Sequence, residues 1–122
     1  MKFYKCPECG NVIILPYGNV ENVKCCDKEL VELTANTSEG AFEKHIPVYT
    51  KDNDEILVRV GEVEHPMLAE HYITFIAQVY GDKIEIVKLK PGDKPEAKFK
   101  YIKGSVVYEY CNVHGLWSTE IK

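Results

Sequence analysis

Four of the five cysteines, Cys6, Cys9, Cys25 and Cys26, fall within the first 26 residues of this 122-residue chain. A segment that short cannot bury enough apolar surface to fold unaided, and below about 40 residues a metal ion or disulfides usually supply the difference. The stretch from 1 to about 36 is therefore expected to be a separately stapled unit, with residues 37–122 as one ordinary domain behind it. Met1-Lys2-Phe3-Tyr4-Lys5-Cys6 has no apolar run of signal-peptide length, and no stretch of the chain is long and apolar enough to span a membrane, so a cytoplasmic location is expected. In a reducing cytosol paired thiols are more often metal ligands than disulfides, and an odd count of five would leave one thiol over.

Cys6-Pro7-Glu8-Cys9-Gly10 has the form of a metal knuckle. Two residues between the thiolates let both sulfurs turn toward one ion, and Gly10 relieves the tight backbone behind them. The 15 residues between Cys9 and Cys25 are about the gap expected between the halves of a four-thiolate site. The adjacent pair Cys25-Cys26 departs from the usual second Cys-x-x-Cys, because neighbouring side chains must splay to meet one ion. Tetrahedral sulfur suits zinc and iron alike, so the metal stays open at this point. A thioredoxin-type redox pair would sit in a βαβ pattern and haem attachment would need a histidine after Cys9; neither is present.

Residues 34–42 are small and polar and read as a linker. Beyond them, 46–50, 55–60, 72–80, 83–89, 97–102 and 105–110 are rich in β-branched and aromatic residues, with turn signals at Asp52-Asn53-Asp54, Gly81-Asp82, Pro91-Gly92-Asp93 and Lys103-Gly104. Six or seven such strands without a long helix indicate an all-β chain whose larger part is an antiparallel sandwich of immunoglobulin-like type.

The chemistry of that larger part centres on Tyr110-Cys111-Asn112-Val113-His114-Gly115. A cysteine and a histidine three positions apart, beside turn-prone Asn and Gly, can place a thiolate and an imidazole on one metal. His45, His65 and His71 each sit at an expected strand end or loop, and His45 and His65 lie next to the proline-directed segments Ile46-Pro47 and Pro66-Met67. Four histidines at loop ends with one cysteine are better explained by a redox metal than by coincidence. A net charge of -4 speaks against a general nucleic-acid or membrane-surface partner.

Glu43-Lys44-His45-Ile46-Pro47, His65-Pro66-Met67, His71-Tyr72-Ile73, Leu89-Lys90-Pro91-Gly92-Asp93 and the Tyr110–Trp117 segment resemble the superoxide reductases in sequence and order. Cys6, Cys9, Cys25 and Cys26 resemble the desulforedoxin-like domain of the two-iron members, so the whole chain resembles a desulfoferrodoxin. The resemblance implies two irons per chain: one held by those four thiolates, and one held by His45, His65, His71 and His114 in a plane with Cys111 on the axis and a solvent-facing sixth position. It further implies one-electron reduction of superoxide to hydrogen peroxide, re-reduction by a rubredoxin-like carrier, and a homodimer. Lys44 is implied to steer the anion, and Glu43 to occupy the vacant position when no substrate is present. Trp117 and Tyr110 read as packing residues. From the residues alone, a zinc-stabilised binding module and a simple iron electron carrier stand as rivals, whereas a two-His-one-carboxylate triad is not what these side chains offer.

Overall fold

In the strand Glu55–Val60 the side chains of Ile56, Val58 and Val60 are buried while Glu55 and Arg59 face solvent, the period of two that a half-buried strand requires. The computed structural model describes residues 1–37 and 42–122, with backbone alone at Phe42 and Glu43. It divides into two units, Met1–Thr34 and Ala35–Lys122.

In the first unit, β1 (Phe3–Lys5) lies antiparallel between β2 (Val12–Ile14) and β5 (Val31–Leu33), and β3 (Lys24–Cys25) with β4 (Lys28–Glu29) makes a minimal hairpin. The hairpin turn is Cys26-Asp27, with φ of 54° and 60°. Two consecutive positive φ values are the signature of a type I′ turn, whose twist matches the flanking strands. An L-residue in this region carries a steric cost of roughly 1–2 kcal/mol. This turn resolves the difficulty of the adjacent cysteines. The left-handed backbone at Cys26 swings its sulfur to 4.0 Å from that of Cys25.

The second unit opens with a single helical turn, α1 (Phe42–His45), followed by β6 (Pro47–Asp52), β7 (Glu55–Val60), β8 (Ile73–Tyr80), β9 (Lys83–Lys88), β10 (Glu96–Lys100), β11 (Val106–Cys111) and β12 (Gly115–Glu120). One antiparallel sheet has the order β10-β7-β6 and the other β12-β11-β8-β9. Their inner faces share a core that includes Ile56, Val58, Val60, Ile73, Ile76, Phe99, Val107, Cys111 and Ile121. The fold is the all-β antiparallel sandwich expected, and six of its strands end within two residues of the expected limits.

Three local features differ from expectation. His45 ends a helical turn rather than opening a strand; Pro47 prevents that turn from continuing and starts β6 instead. Strand β12 was not anticipated, because the tight turn before it reads as a metal motif and hides a hairpin in which Tyr110 pairs with Leu116 and Cys111 with Gly115. The linker expected over 34–42 lies partly outside the described residues. Asn36, within it, is docked on β12: its backbone N–H donates to Leu116 O (2.9 Å), and its side-chain oxygen accepts from Ser118 N (2.9 Å).

Because Ile56 is fully buried at the centre of this core, Ile56→Ala is expected to destabilise the larger unit by roughly 2–5 kcal/mol. Trp117, the chain's one tryptophan, lies in that unit, so its fluorescence during urea unfolding reads the loss directly.

Candidate metal centres

Each donor of the larger site is delivered by a different kind of segment end. His45 closes α1, His65 and His71 lie on the connection between β7 and β8, Cys111 ends β11, and His114 sits in the β11–β12 turn. A register shift accompanies the thiol: Tyr110 pairs with Phe75, but Cys111 pairs with Ile73, so Thr74 is bulged out of β8. A bulge at this point re-aims the strand end, as bulges beside functional sites commonly do.

The four imidazoles form a closed cycle. Ring centroids lie 4.7 Å apart for His45–His65, 4.8 Å for His65–His71, 5.0 Å for His71–His114 and 4.7 Å for His114–His45. Successive planes meet at angles between 71° and 85°. His45 therefore lies across from His71 and His65 across from His114. The Nε2 of His45 is 3.1 Å from Nε2 of His65 and 3.0 Å from Nδ1 of His114. Two imidazole nitrogens bound at right angles to one metal, with bonds of about 2.1 Å, would stand roughly 3.0 Å apart.

Hydrogen bonding supports the same reading. His65 Nδ1 is 2.7 Å from the carbonyl of Pro66, which can only accept; Nδ1 therefore carries the proton and Nε2 presents a lone pair inward. His71 Nε2 is buried with no hydrogen-bond partner among the described residues. A proton on His45 can bridge to one neighbour well, whereas a single cation faces every nitrogen at once. Cys111 completes the group, with its sulfur 4.0 Å from His114 Nδ1 and accepting the His114 backbone N–H at 3.4 Å. All five donor atoms lie within 4.8 Å of one another.

Burial shifts two of the imidazoles and the thiol. It pulls His65 down to about 4, helped by the neighbouring imidazoles, and it lowers His71 as well, with the charges of His114 and Lys44 acting in the same direction. Burial pushes the Cys111 thiol up, against the pull of the backbone N–H groups of His114 and Val113. Neutral imidazoles are ready ligands, while the thiol gives up its proton when a cation arrives.

In the smaller site Cys9 Sγ is 3.4 Å from Cys25 Sγ, and Cys25 Sγ is 4.0 Å from Cys26 Sγ. These separations straddle the roughly 3.8 Å edge of a tetrahedron with metal–sulfur bonds of about 2.3 Å. The knuckle is held by Gly10 N donating to Cys6 O (3.1 Å) and Cys6 N donating to Asn11 O (2.9 Å), with Gly10 at φ 79°. The Cys9 backbone N–H, 3.4 Å from the Cys6 sulfur, pulls that thiol down to about 6, whereas the sulfurs of Cys6 and Cys9 push Cys25 up to about 12. One thiolate forms readily and the crowd of sulfurs resists the next, a conflict that a bound cation removes.

Every metal-ligating residue expected from the sequence falls in one of these two groups, and both groups fit an ion. Five donors in a square-plus-thiolate arrangement exceed the four of a structural zinc site and suit a redox metal. Of the other expected residues, Lys44 is exposed beside His45, and the side chain of Glu43 lies outside the described residues. Trp117, read from the sequence as packing, does more: its ring stacks on His45 (5.0 Å between centroids, 20°), and its Nε1–H donates to His114 O at 3.1 Å. It touches two ligands at once. Position three beyond a ligand histidine was the only sequence hint.

A small N-terminal unit with a four-thiolate cage, together with a β-sandwich unit carrying a four-imidazole, one-thiolate group, has the donor sets of a small non-haem iron protein. The desulfoferrodoxin family profile matches residues 37–120. Over 98% of this chain and 96% of its own length, a desulfoferrodoxin of Syntrophotalea carbinolica is 46% identical. A superoxide reductase of Pyrococcus horikoshii is 30% identical, covering 76% of this chain and 98% of that protein. The crystal structure of the superoxide reductase from Treponema pallidum superposes with a TM-score of 0.75 at 30% identity, over 98% of both chains. This chain belongs to the desulfoferrodoxin family, and its two donor groups fit the two irons of such a protein.

Because His65 protonates far more readily when unfolded than when buried, the unfolded state binds the extra proton between about pH 6.5 and 4. The metal-free protein is therefore expected to lose stability as pH falls through that window, at up to about 1.4 kcal/mol per pH unit, with no such loss above it. Urea unfolding of the metal-free protein across pH 4–8 measures the slope.

Proposed function

We propose that this chain is a superoxide reductase: it reduces superoxide by one electron to hydrogen peroxide at the His45, His65, His71, His114 and Cys111 group. The observation that carries this reading is the closed ring of four imidazoles beside one buried thiol, a five-donor set that would leave a coordination position free for substrate. Iron held by these residues would supply the electron, and the Cys111 thiolate among its ligands would make it a better electron donor. Two protons complete the product, so no oxygen is formed.

The protein's own groups handle approach and proton supply. A chain of net charge -4 repels superoxide at long range, and the exposed Lys44 ammonium, next to His45 and acting on His71, provides local attraction. Lys44 also organises the water that delivers protons. Glu43, one residue earlier in the chain, would shield the site when no substrate is present. The Cys111 sulfur is kept from water by burial and receives the His114 N–H, which limits how much charge it pushes onto the metal. Residues 1–36 form the desulforedoxin-like iron domain and 37–122 the catalytic domain. The protein works in the cytoplasm as a homodimer, with a rubredoxin-like carrier restoring the ferrous state. No helix among the described residues is long and apolar enough to cross a membrane.

Pulse radiolysis of the reduced protein, with metal analysis on the same sample, tests the reading: one hydrogen peroxide per superoxide is expected. Zinc in place of iron in the larger site of protein made with iron in excess would sink it. Cys111→Ser is expected to keep the fold while losing most peroxide production; full activity would refute the thiolate's role. Lys44→Ala is expected to slow the second-order reaction several-fold and flatten its dependence on ionic strength, and an unaltered salt response would argue against steering.

A further inference from the structure

Three of the four ligand histidines are held by contacts close to the ring. His45 lies against Trp117, His65 donates to Pro66 O, and His114 follows Cys111 within one tight turn. His71 is supported differently. Its Nε2 is buried without a hydrogen-bond partner among the described residues, and the residue rides on a long connection whose local tie is a pair of backbone bonds with Leu68, His71 N to Leu68 O (3.1 Å) and Leu68 N to His71 O (2.9 Å). That tie shapes the loop on itself and says nothing about where it stands relative to the thiolate.

The β11–β8 pairing fixes Ile73 against Cys111, and Asn112 extends that registration to the residues on either side of His71. Its side-chain oxygen accepts the N–H of Tyr72 at 2.9 Å, its side-chain NH2 donates to the carbonyl of Glu70 at 3.2 Å, and its own backbone N–H donates to the carbonyl of Tyr72 at 3.2 Å. One planar amide thus grips the backbone on both sides of His71. Asn112 is also the residue immediately after Cys111, at the start of the turn that carries His114. The grip therefore ties His71 directly to the segment that holds the sulfur and the fourth imidazole. The side-chain pattern is specific: accepting from one residue and donating to another two positions away needs a short carboxamide, since aspartate lacks the donor, alanine lacks both groups, and glutamine is longer by a methylene.

We infer that Asn112 is a positioning residue for the larger metal centre, fixing the His71 imidazole at its corner of the ring by clamping residues 70 and 72 to the Cys111–His114 turn. Without the side-chain clamp, the segment keeps the Asn112 N to Tyr72 O bond and the Ile73–Cys111 pairing but loses the two bonds that flank the His71 imidazole, so that corner is held less tightly than the other three. The inference rests on the five-donor group being the iron site and is independent of superoxide chemistry.

The test follows iron release from the intact two-iron chain to a chelator, with no substrate present, and records the hyperfine-shifted imidazole N–H resonances of the ferrous protein. Asn112→Ala is expected to accelerate loss of iron from the five-donor site by about 10-fold or more while the four-thiolate iron leaves at the parent rate. One imidazole set, that of His71, is expected to shift. Asn112→Asp keeps the bond from Tyr72 and is expected to fall between parent and alanine variant; it carries the test should the alanine variant fail to fold. Parent-like release with unchanged resonances would overturn the inference, as would equal acceleration at both irons or equal movement of all four imidazole sets. A parent protein that holds no iron at the five-donor group would instead sink the site assignment itself.

Discussion

Four imidazole nitrogens and a sulfur pressed together inside a protein oppose one another until a cation sits among them. With Nε2 of His45 at 3.1 and 3.0 Å from two other ring nitrogens, one proton there can bridge to a single neighbour and leaves the other contact without a donor from His45. An added proton on His65 is opposed, because burial and the neighbouring rings hold that residue at about 4. A central ion would face every inward donor at once, so the free energy of metal binding and the energetic cost of assembling the ring are two sides of one equilibrium. The sandwich has to be rigid enough to hold that unfavourable arrangement in advance.

That rigidity comes from how few degrees of freedom each donor keeps. Cys111 is set by strand pairing and by the bulge at Thr74. His114 is set by a hairpin whose far strand returns Trp117 against His45, so one hairpin serves the thiolate, the ring above it and a third ligand arriving from α1. The connection bearing His65 and His71 is pinned from another side: Gly92 N donates to Met67 O (2.9 Å), and Met67 Sδ accepts from Ile73 N (3.4 Å). The Leu89–Asp93 segment thus contributes to the site without donating a ligand.

The small unit achieves preorganisation differently. It has little core, and its sulfurs gather through backbone geometry: a knuckle closed on Gly10 and a type I′ turn with a non-glycine residue at φ 54°. Placing Cys26 in that conformation is locally unfavourable, and bringing thiols within 3.4–4.0 Å raises the cost of ionising the later ones. Both penalties are offset by one ion, which is why so short a segment can keep a defined shape.

Much of this was legible in the chain itself. Ligand identity is a matter of residue type and count: a chain with four histidines and five cysteines has few ways to build two metal groups, and strand runs announce themselves through β-branched residues at a period of two. What the sequence by itself determined, then, was the donor inventory, the all-β architecture and the separateness of the cysteine-rich start. Tertiary structure alone decided which imidazole stands opposite which, that Trp117 braces two ligands, that α1 rather than a strand presents His45, and that adjacent cysteines can share one ion. Each of these depends on the relative placement of segments far apart in the chain or on a left-handed turn residue. Local pattern carries no record of either, because register, bulge and ring packing are chosen by the whole sandwich at once.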